Sequence, residues 1–201
     1  MTYYISDLHF GCQNKYEGRT LEHDKIIIDN WNKVVTNSDT VYILGDIGRI
    51  GNNKDNEYLC KCISVLKGKE KILVRGNHDD IRDCRIKQLF TEVCDRKDII
   101  DNCNGINHKL VLQHSPELFW WNQHKGAILL YGHLHISDEW EVYKHCLEHV
   151  NDFFKDKTLK GYTDCPPATA INVGCMLLGY QPRTLKELIA NTVVYDQIKN
   201  I

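Results

Sequence analysis

The segment TVYILGD, residues 40–46, shows the pattern on which the fold prediction rests. Its β-branched and apolar residues predict a buried strand, and the glycine that follows predicts the end of that strand. Similar short runs recur along the chain, and most of them end in a Gly, His or Asp cluster. The predicted strands are Thr2–Ile5, Thr40–Leu44, Lys71–Val74, Lys109–Leu112, Ala127–Tyr131 and Thr169–Val173.

Helical patterns separate the first three of these strands. The two apolar helix faces are formed by Leu21, Ile28, Trp31 and Val35, and by Leu59, Cys62, Ile63 and Leu66. Strands that alternate with helices predict βαβαβ units, and apolar runs of this length are typical of strands covered on both faces. The sequence therefore indicates an α/β sheet or sandwich, with functional groups at the strand ends.

Two more helices are predicted in the second half of the chain. Residues Ser137–Lys157 carry an apolar stripe, and Ser137 has the right chemistry for an N-cap. Residues Lys160–Pro167 have the composition of a loop. Thr184 and Glu187 have the spacing of a capping box at the start of a last helix. We predict one domain, residues 1–201, with a helical insertion at about 137–167.

Composition and charge narrow the class of protein. The 201 residues are 42% hydrophobic and 26% charged, which is typical of a folded domain. A net charge of −2 provides no strong nucleic-acid signal, and no segment reaches the roughly 20 apolar residues of a membrane span. Nine cysteines, an odd number, in a chain without a signal peptide predict free thiols and a cytoplasmic location. The oligomeric state is left open.

Five polar clusters, each behind a predicted strand, carry the chemistry. They are Asp7-Leu8-His9, Gly45-Asp46, Gly76-Asn77-His78-Asp79, His114, and Gly132-His133-Leu134-His135. Carboxylate and imidazole groups suit Mn, Fe, Zn or Ni, and the absence of cysteine from the clusters argues against a structural zinc site. Asp7 and His9 are two residues apart, so on a strand both project to the same side, as do His133 and His135. About seven ligands are too many for one tetrahedral ion and fit two ions.

The order of the clusters resembles that of the calcineurin-like metallophosphoesterase superfamily, whose pattern is D-x-H, G-D, G-N-H-[DE], H and G-H-x-H. The chain has DLH, GD, GNHD, H and GHLH in that order, and its segment INVGCMLLGYQP looks like the closing segment of small bacterial members. The resemblance runs from Tyr3 to at least Pro182. It implies a small phosphoesterase of bacterial or phage type, built as a four-layer α/β/β/α sandwich with mixed sheets inside and helices outside.

The resemblance also implies a role for each cluster. The first metal ion would be bound by Asp7, His9 and His135, the second by Asn77, His114 and His133, and both by Asp46. Two divalent ions are implied, with manganese favoured over iron, zinc or nickel, and a hydroxide that bridges them would attack phosphorus. His78 would act near the leaving group, and Asp79 would orient its ring.

Several candidate residues also have a structural interpretation. Asp79 could equally be an N-terminal helix cap, and His114 taken alone could be a turn or solvated residue. Arg49 and Arg75 lie beside two of the clusters, where a guanidinium could bind substrate phosphate, but salt bridges explain them equally well. Base stacking and core packing are the alternatives for Phe10, Phe119, Trp120 and Trp121.

We therefore predict a metal-dependent phosphoesterase, a hydrolase that acts on a small phosphodiester or nucleotide-type substrate rather than on a phosphoprotein. The diester preference rests on analogy with the family. One alternative is a weakly active or inactive binding or scaffold module, although such members usually lack ligands that this chain retains. The other alternative is a nuclease of the DNA-repair type, although its additional domains do not fit in 201 residues.

Overall fold

The computed structural model describes residues 1–12, 20–155 and 165–190. Its strands are β1 (Thr2–Ile5), β2 (Thr40–Ile43), β3 (Glu70–Val74), β4 (Glu92–Cys94), β5 (Lys97–Cys103), β6 (Ile106–Leu112), β7 (Ile128–Tyr131) and β8 (Thr169–Asn172). Its helices are α1 (Leu21–Val34), α2 (Asn53–Ser64), α3 (Cys84–Lys87), α4 (Asp138–Lys155) and α5 (Leu185–Ala190), with a 3-10 turn at Gln123–Lys125. All six predicted strands are present, with ends that shift by up to three residues.

The first sheet has the order β1-β2-β3-β4, and all its strands are parallel. Neighbouring parallel strands need long crossover connections, and α1 and α2 provide the two that the sequence predicts. Ile27 and Trp31 of α1 and Leu59 and Ile63 of α2 are fully buried in one cluster with these strands. The predicted βαβαβ unit is confirmed.

The second sheet has the order β5-β6-β7-β8 and lies face to face with the first. Along β6, Leu110 and Leu112 belong to the core shared with the first sheet, whereas Val111 points to the opposite face. There it lies in one cluster with Trp140 and Tyr143 of α4. The layers therefore run helix, sheet, sheet, helix, and the predicted four-layer α/β/β/α sandwich is confirmed.

The prediction of two mixed sheets is correct only for the second sheet. β5 is antiparallel to β6, and the other pairs in that sheet are parallel. Asn104 and Gly105 form the β5-β6 turn, and both have a positive φ, as a two-residue hairpin turn requires. β4 and β5 are absent from the predicted strands. β5 alternates between partly buried and exposed residues, so it lacks the apolar run that marks the other strands.

The two predicted helix caps are present. Ser137 Oγ accepts the Trp140 N–H at 3.2 Å at the start of α4. Thr184 N donates to Glu187 Oε2 at 2.8 Å at the start of α5. Residues 156–164, which include the predicted end of the insertion helix and most of its loop, lie outside the described residues. All nine cysteines are free thiols, and no helix among the described residues is long and apolar enough to cross a membrane.

Candidate metal centre

Six of the predicted ligands form two clusters where strands of both sheets end. The clusters consist of Asp7, His9 and His135, and of Asp46, His114 and His133, and within each the ligand atoms lie within 4.8 Å of one another. His9 Nε2 lies 3.1 Å from His135 Nε2, which lies 3.5 Å from Asp7 Oδ1. Strand ends that are far apart in sequence therefore bring three nitrogen and oxygen ligands to one point.

Asp46 lies between the two clusters. Its Oδ2 is 3.4 Å from His114 Nε2 in its own cluster and 3.7 Å from His9 Nε2 in the other. Asn77, the seventh predicted ligand, places Oδ1 3.0 Å from His114 Nε2. The Asp46 carboxylate thus faces imidazole groups on both sides, which is the position that a bridging ligand requires.

Hydrogen bonding determines which nitrogen of His114 faces the cluster. Its Nδ1 lies 2.7 Å from the Leu44 carbonyl oxygen, which can only accept, so Nδ1 carries the proton. Nε2 is then the ring nitrogen that faces Asp46 and Asn77. A ring nitrogen that donates to a backbone carbonyl fixes the tautomer in this way at many metal sites.

Charges within the site shift the pKa values of its members. Burial would raise the pKa of Asp46, but the hydrogen bond and charge of His114 outweigh burial and lower that pKa to about 2. Burial would lower the pKa of His114, but Asp46 and Asp7 outweigh it and raise that pKa. The pKa of His133 is lowered by burial and by the neighbouring His114. The Asp46 carboxylate is therefore ionised at neutral pH.

Five of the seven predicted ligands have left-handed backbone conformations. The φ angles are 57° for Asp7, 45° for His9, 53° for Asp46, 71° for His133 and 50° for His135. Such conformations cost of order 1–3 kcal/mol each for residues with a side chain, and they cluster at functional sites. The prediction that the pairs Asp7/His9 and His133/His135 each project to one side of a strand is therefore wrong. β1 and β7 end before these pairs, which lie on sharply turned loops.

Backbone hydrogen bonds hold the loop after β1 and the loop after β2 side by side. Asp7 N donates to Gly45 O at 3.0 Å, and His9 N donates to Asp46 O at 2.9 Å. The Asp7 carboxylate in turn accepts the His133 N–H at 3.1 Å, which reaches across to the second sheet. The left-handed residues are therefore supported by contacts among the ligand loops themselves.

Asp79 has neither of its two predicted roles, which were to orient the His78 ring and to cap a helix. It is 5% exposed, and its carboxylate accepts the N–H groups of Asp46 (2.8 Å), Ile47 (2.9 Å) and Gly76 (2.8 Å). Burial raises its pKa, and these bonds oppose that rise. The carboxylate thus joins two ligand loops instead of orienting the His78 ring. It is also no helix cap, because Asp83 caps α3.

The clusters open into a cleft of about 520 Å³. The His78 ring lies in this cleft with its centroid 6.1 Å from that of His9, and its backbone N–H donates to Asp46 Oδ1 at 3.0 Å. Ser137 and Glu139, from the start of α4, form part of the lining. Neither of these two residues was among the predicted site residues.

Only one of the two predicted arginines reaches the cleft. Arg49 forms part of its lining, is 62% exposed at the side chain, and has Nε 3.2 Å from Asp55 Oδ2. Arg75 lies outside the cleft lining and donates to Asp95 Oδ1 at 2.7 Å, so its salt-bridge interpretation holds. The cleft is also not lined by the aromatic residues considered for base stacking, which are Phe10, Phe119, Trp120 and Trp121.

The donor set fits divalent cations. Ligand atoms that share a cation at about 2.0–2.2 Å lie roughly 3.0–3.5 Å apart. The separations of 3.1 Å between His9 and His135 and 3.0 Å between His114 and Asn77 fall in this range. Imidazole nitrogens combined with carboxylate and amide oxygens suit borderline cations such as manganese, iron, zinc and nickel.

Comparison with known proteins places these features in context. Residues 2–164 match the family described as calcineurin-like phosphoesterase. An uncharacterised protein of Methanocaldococcus jannaschii is 28% identical over 194 residues, which cover 93% of this chain and 88% of that protein. The gene 66 protein of Mycobacterium phage L5 is 29% identical over 162 residues, which cover 67% of this chain and 77% of that protein. The crystal structure of a protein of unknown function from Aquifex aeolicus superposes with a TM-score of 0.64 and 25% identity, and covers 94% of this chain and 98% of that one.

Proposed function

The chain belongs to the calcineurin-like phosphoesterase family, and on this premise we propose that it is a hydrolase that cleaves phosphate esters at a pair of divalent cations. One observation carries the proposal. Two ligand clusters meet at Asp46, whose Oδ2 lies 3.4 Å from His114 Nε2 and 3.7 Å from His9 Nε2. A shared carboxylate of this kind holds two cations about 3.5–4 Å apart in two-metal hydrolases.

The proposed ligands divide between the two cations. The first cation is assigned to Asp7, His9 and His135, the second to Asn77, His114 and His133, and Asp46 is assigned to both. Cations bound there would lower the pKa of a coordinated water towards neutrality and offset negative charge on the phosphoryl oxygens. Manganese is the proposed ion, with iron, zinc and nickel as alternatives.

The residues of the chain have separable tasks in this proposal. The bond from His114 Nδ1 to Leu44 O, 2.7 Å long, leaves Nε2 as the ring nitrogen that would bind the cation. Asp46 Oδ1 accepts the His78 N–H at 3.0 Å, so the loop that carries His78 is tied to the bridging carboxylate. The His78 ring, exposed in the cleft, would donate a proton to the leaving-group oxygen.

Arg49 is the proposed contact to the substrate phosphoryl group. Its Nε lies 3.2 Å from Asp55 Oδ2, and the side chain forms part of the cleft lining. A guanidinium held in this way can donate two parallel hydrogen bonds to phosphoryl oxygens. Arg75, which lies outside the cleft lining, is no longer part of the proposal.

We assign a small phosphodiester or nucleotide-type ester as the substrate class. A cleft of about 520 Å³ is in the size range of small-molecule sites. The preference for a diester over a monoester rests on analogy with the family, and the cytoplasmic location stays a prediction.

Hydrolysis of bis-p-nitrophenyl phosphate and p-nitrophenyl phosphate tests the function, with protein that has been stripped by a chelator and reloaded with Mn²⁺. Activity should disappear on stripping and return on reloading. Asp46→Asn should lower kcat at saturating Mn²⁺ by about a hundredfold, because one bridging carboxylate oxygen is replaced by an amide nitrogen. Asp98→Asn is the matched control, because Asp98 pairs with Arg96 at the surface. Full activity of Asp46→Asn would refute the assignment.

A further inference from the structure

We propose that Asp24 is a positioning residue for the cluster of Asp7, His9 and His135, an inference that rests on the proposed function. Asp24 lies in the first turn of α1 and is only 2% exposed. It belongs to neither ligand cluster. A buried carboxylate is unfavourable unless hydrogen bonds or charges compensate it, so its partners indicate what it stabilises.

One oxygen of Asp24 accepts hydrogen bonds from two separate segments. The Gly11 N–H donates to Asp24 Oδ2 at 2.8 Å, and the Tyr58 hydroxyl donates to the same atom at 2.9 Å. Gly11 follows the ligand His9 by two residues, and Tyr58 lies on α2. Asp24 therefore joins two helices to the loop that leaves the metal cluster.

The Gly11 N–H lies within a tight turn that begins at His9. Cys12 N donates to His9 O at 3.0 Å, and φ is 45° at His9 and 76° at Gly11. A left-handed residue with a side chain persists only where its surroundings enforce it. The bond from Asp24 adds to the support that the Asp46 loop gives, and it acts at the middle of the turn.

Tyr58 supports the same turn from the side of α2. A Cβ atom on Gly11 would lie 3.2 Å from Tyr58 Cδ1, so the ring covers the turn closely. Burial and the bond to Asp24 raise the pKa of the Tyr58 hydroxyl, which therefore remains a donor at neutral pH. Asp24 and Tyr58 together fix the direction in which the His9 side chain leaves the backbone.

The second cluster is tied to this turn at Asp46, whose carbonyl oxygen accepts the His9 N–H at 2.9 Å, but its histidines are held elsewhere. His114 and His133 follow strands of the second sheet, and the Asp46 N–H is held by Asp79 at 2.8 Å. The effect of Asp24 should therefore be selective for the cluster that contains His9. A general loss of stability would instead weaken both clusters.

Equilibrium dialysis with Mn²⁺ can separate these outcomes when each variant is made in two single-cluster backgrounds. His114→Ala retains the cluster of His9, and His135→Ala retains the other. Asp24→Asn replaces a charged acceptor by a weaker neutral one, and Tyr58→Phe removes one donor while keeping the ring. Each change should raise the Mn²⁺ dissociation constant about tenfold in the His114→Ala background and leave it unchanged in the His135→Ala background.

The control is Asp39→Asn. Asp39 is 5% exposed and directly precedes β2, so it lies at the end of the first sheet opposite the ligands. Equal weakening in both backgrounds, or unchanged binding in the His114→Ala background, would overturn the role of Asp24. If Asp24→Asn does not fold, Tyr58→Phe decides the question. A wild-type protein that binds none of Mn²⁺, Fe²⁺, Zn²⁺ and Ni²⁺ would overturn the proposed function itself.

Discussion

Replacing Gly132 by alanine tests the close contact between the two sheets beside the first ligand cluster. Gly132 directly follows β7, and an added Cβ would lie 1.9 Å from Ser6 Oγ and 2.6 Å from Asp7 Oδ2. Ser6 is 0% exposed and Asp7 is 2% exposed. The Ser6 hydroxyl also donates to Leu44 O at 2.5 Å. Neither side chain can therefore move aside into solvent.

The expected effect follows from these distances. The contact of 1.9 Å is about 1.5 Å shorter than an ordinary contact between heavy atoms. Overpacking in a core costs about 1–3 kcal/mol, and two obstructed side chains place Gly132→Ala at the upper end of this range. A loss of about 3 kcal/mol lowers the Tm of a chain of this length by roughly 6–12 °C. Because the new methyl group displaces the Asp7 carboxylate, Mn²⁺ affinity should fall about 10- to 100-fold.

Thermal unfolding and equilibrium dialysis measure the two effects separately. Gly51→Ala is the control, because an added Cβ there meets only Asp55 Oδ2, at 3.3 Å. Ser6→Ala combined with Gly132→Ala removes the nearer obstacle. Gly132→Ala should lower the Tm less when it is added to Ser6→Ala than when it is made in the wild type. Mn²⁺ affinity should stay low in both cases. A Gly132→Ala protein with wild-type Tm and wild-type Mn²⁺ binding would refute the reasoning.

Two further predictions concern buried carboxylates. Asp79→Asn places an amide NH₂ group against one of the three backbone N–H groups that the carboxylate accepts. Urea unfolding should then give a free energy of unfolding about 2–3 kcal/mol lower than that of the wild type. An unchanged midpoint would contradict this. The N-terminal ammonium and Thr36 hold the pKa of Asp39 at about 2, below its usual 3.8, so its stabilisation is present above pH 4 and lost towards pH 2. In Asp39→Asn the urea midpoint should fall less between pH 4 and pH 2 than it does in the wild type. An equal fall in both proteins would exclude this role.

The sequence identifies the strands and ligands where the information is local. The apolar run before Gly45 marks β2, and the ordered blocks lie where strands end at the cleft. β5 was not predicted because one of its faces is open to solvent, which leaves Ile100 66% exposed among polar neighbours. The Asn104-Gly105 pair was an available signal for this hairpin, because that dipeptide favours a two-residue turn.

The sequence could not predict features that depend on contacts between distant segments. The left-handed backbone at Asp7 and Asp46 is enforced by bonds between their two loops, and residue type alone does not indicate it. The task of Asp79 depends on N–H groups from two separate loops. Arg75 stands beside a ligand block in the sequence, but the sequence does not show that its side chain pairs with Asp95 outside the cleft.

The ligand clusters also determine how firmly the two sheets are joined. Each cluster draws side chains from both sheets, with His9 and Asp46 from the first and His135 and His114 from the second. A cation bound in either cluster would cross-link the two sheets, because it closes a loop of about 70 to 130 residues in the chain. Amide protons in the interior between the sheets should then exchange more slowly when cations are bound, even far from the cleft.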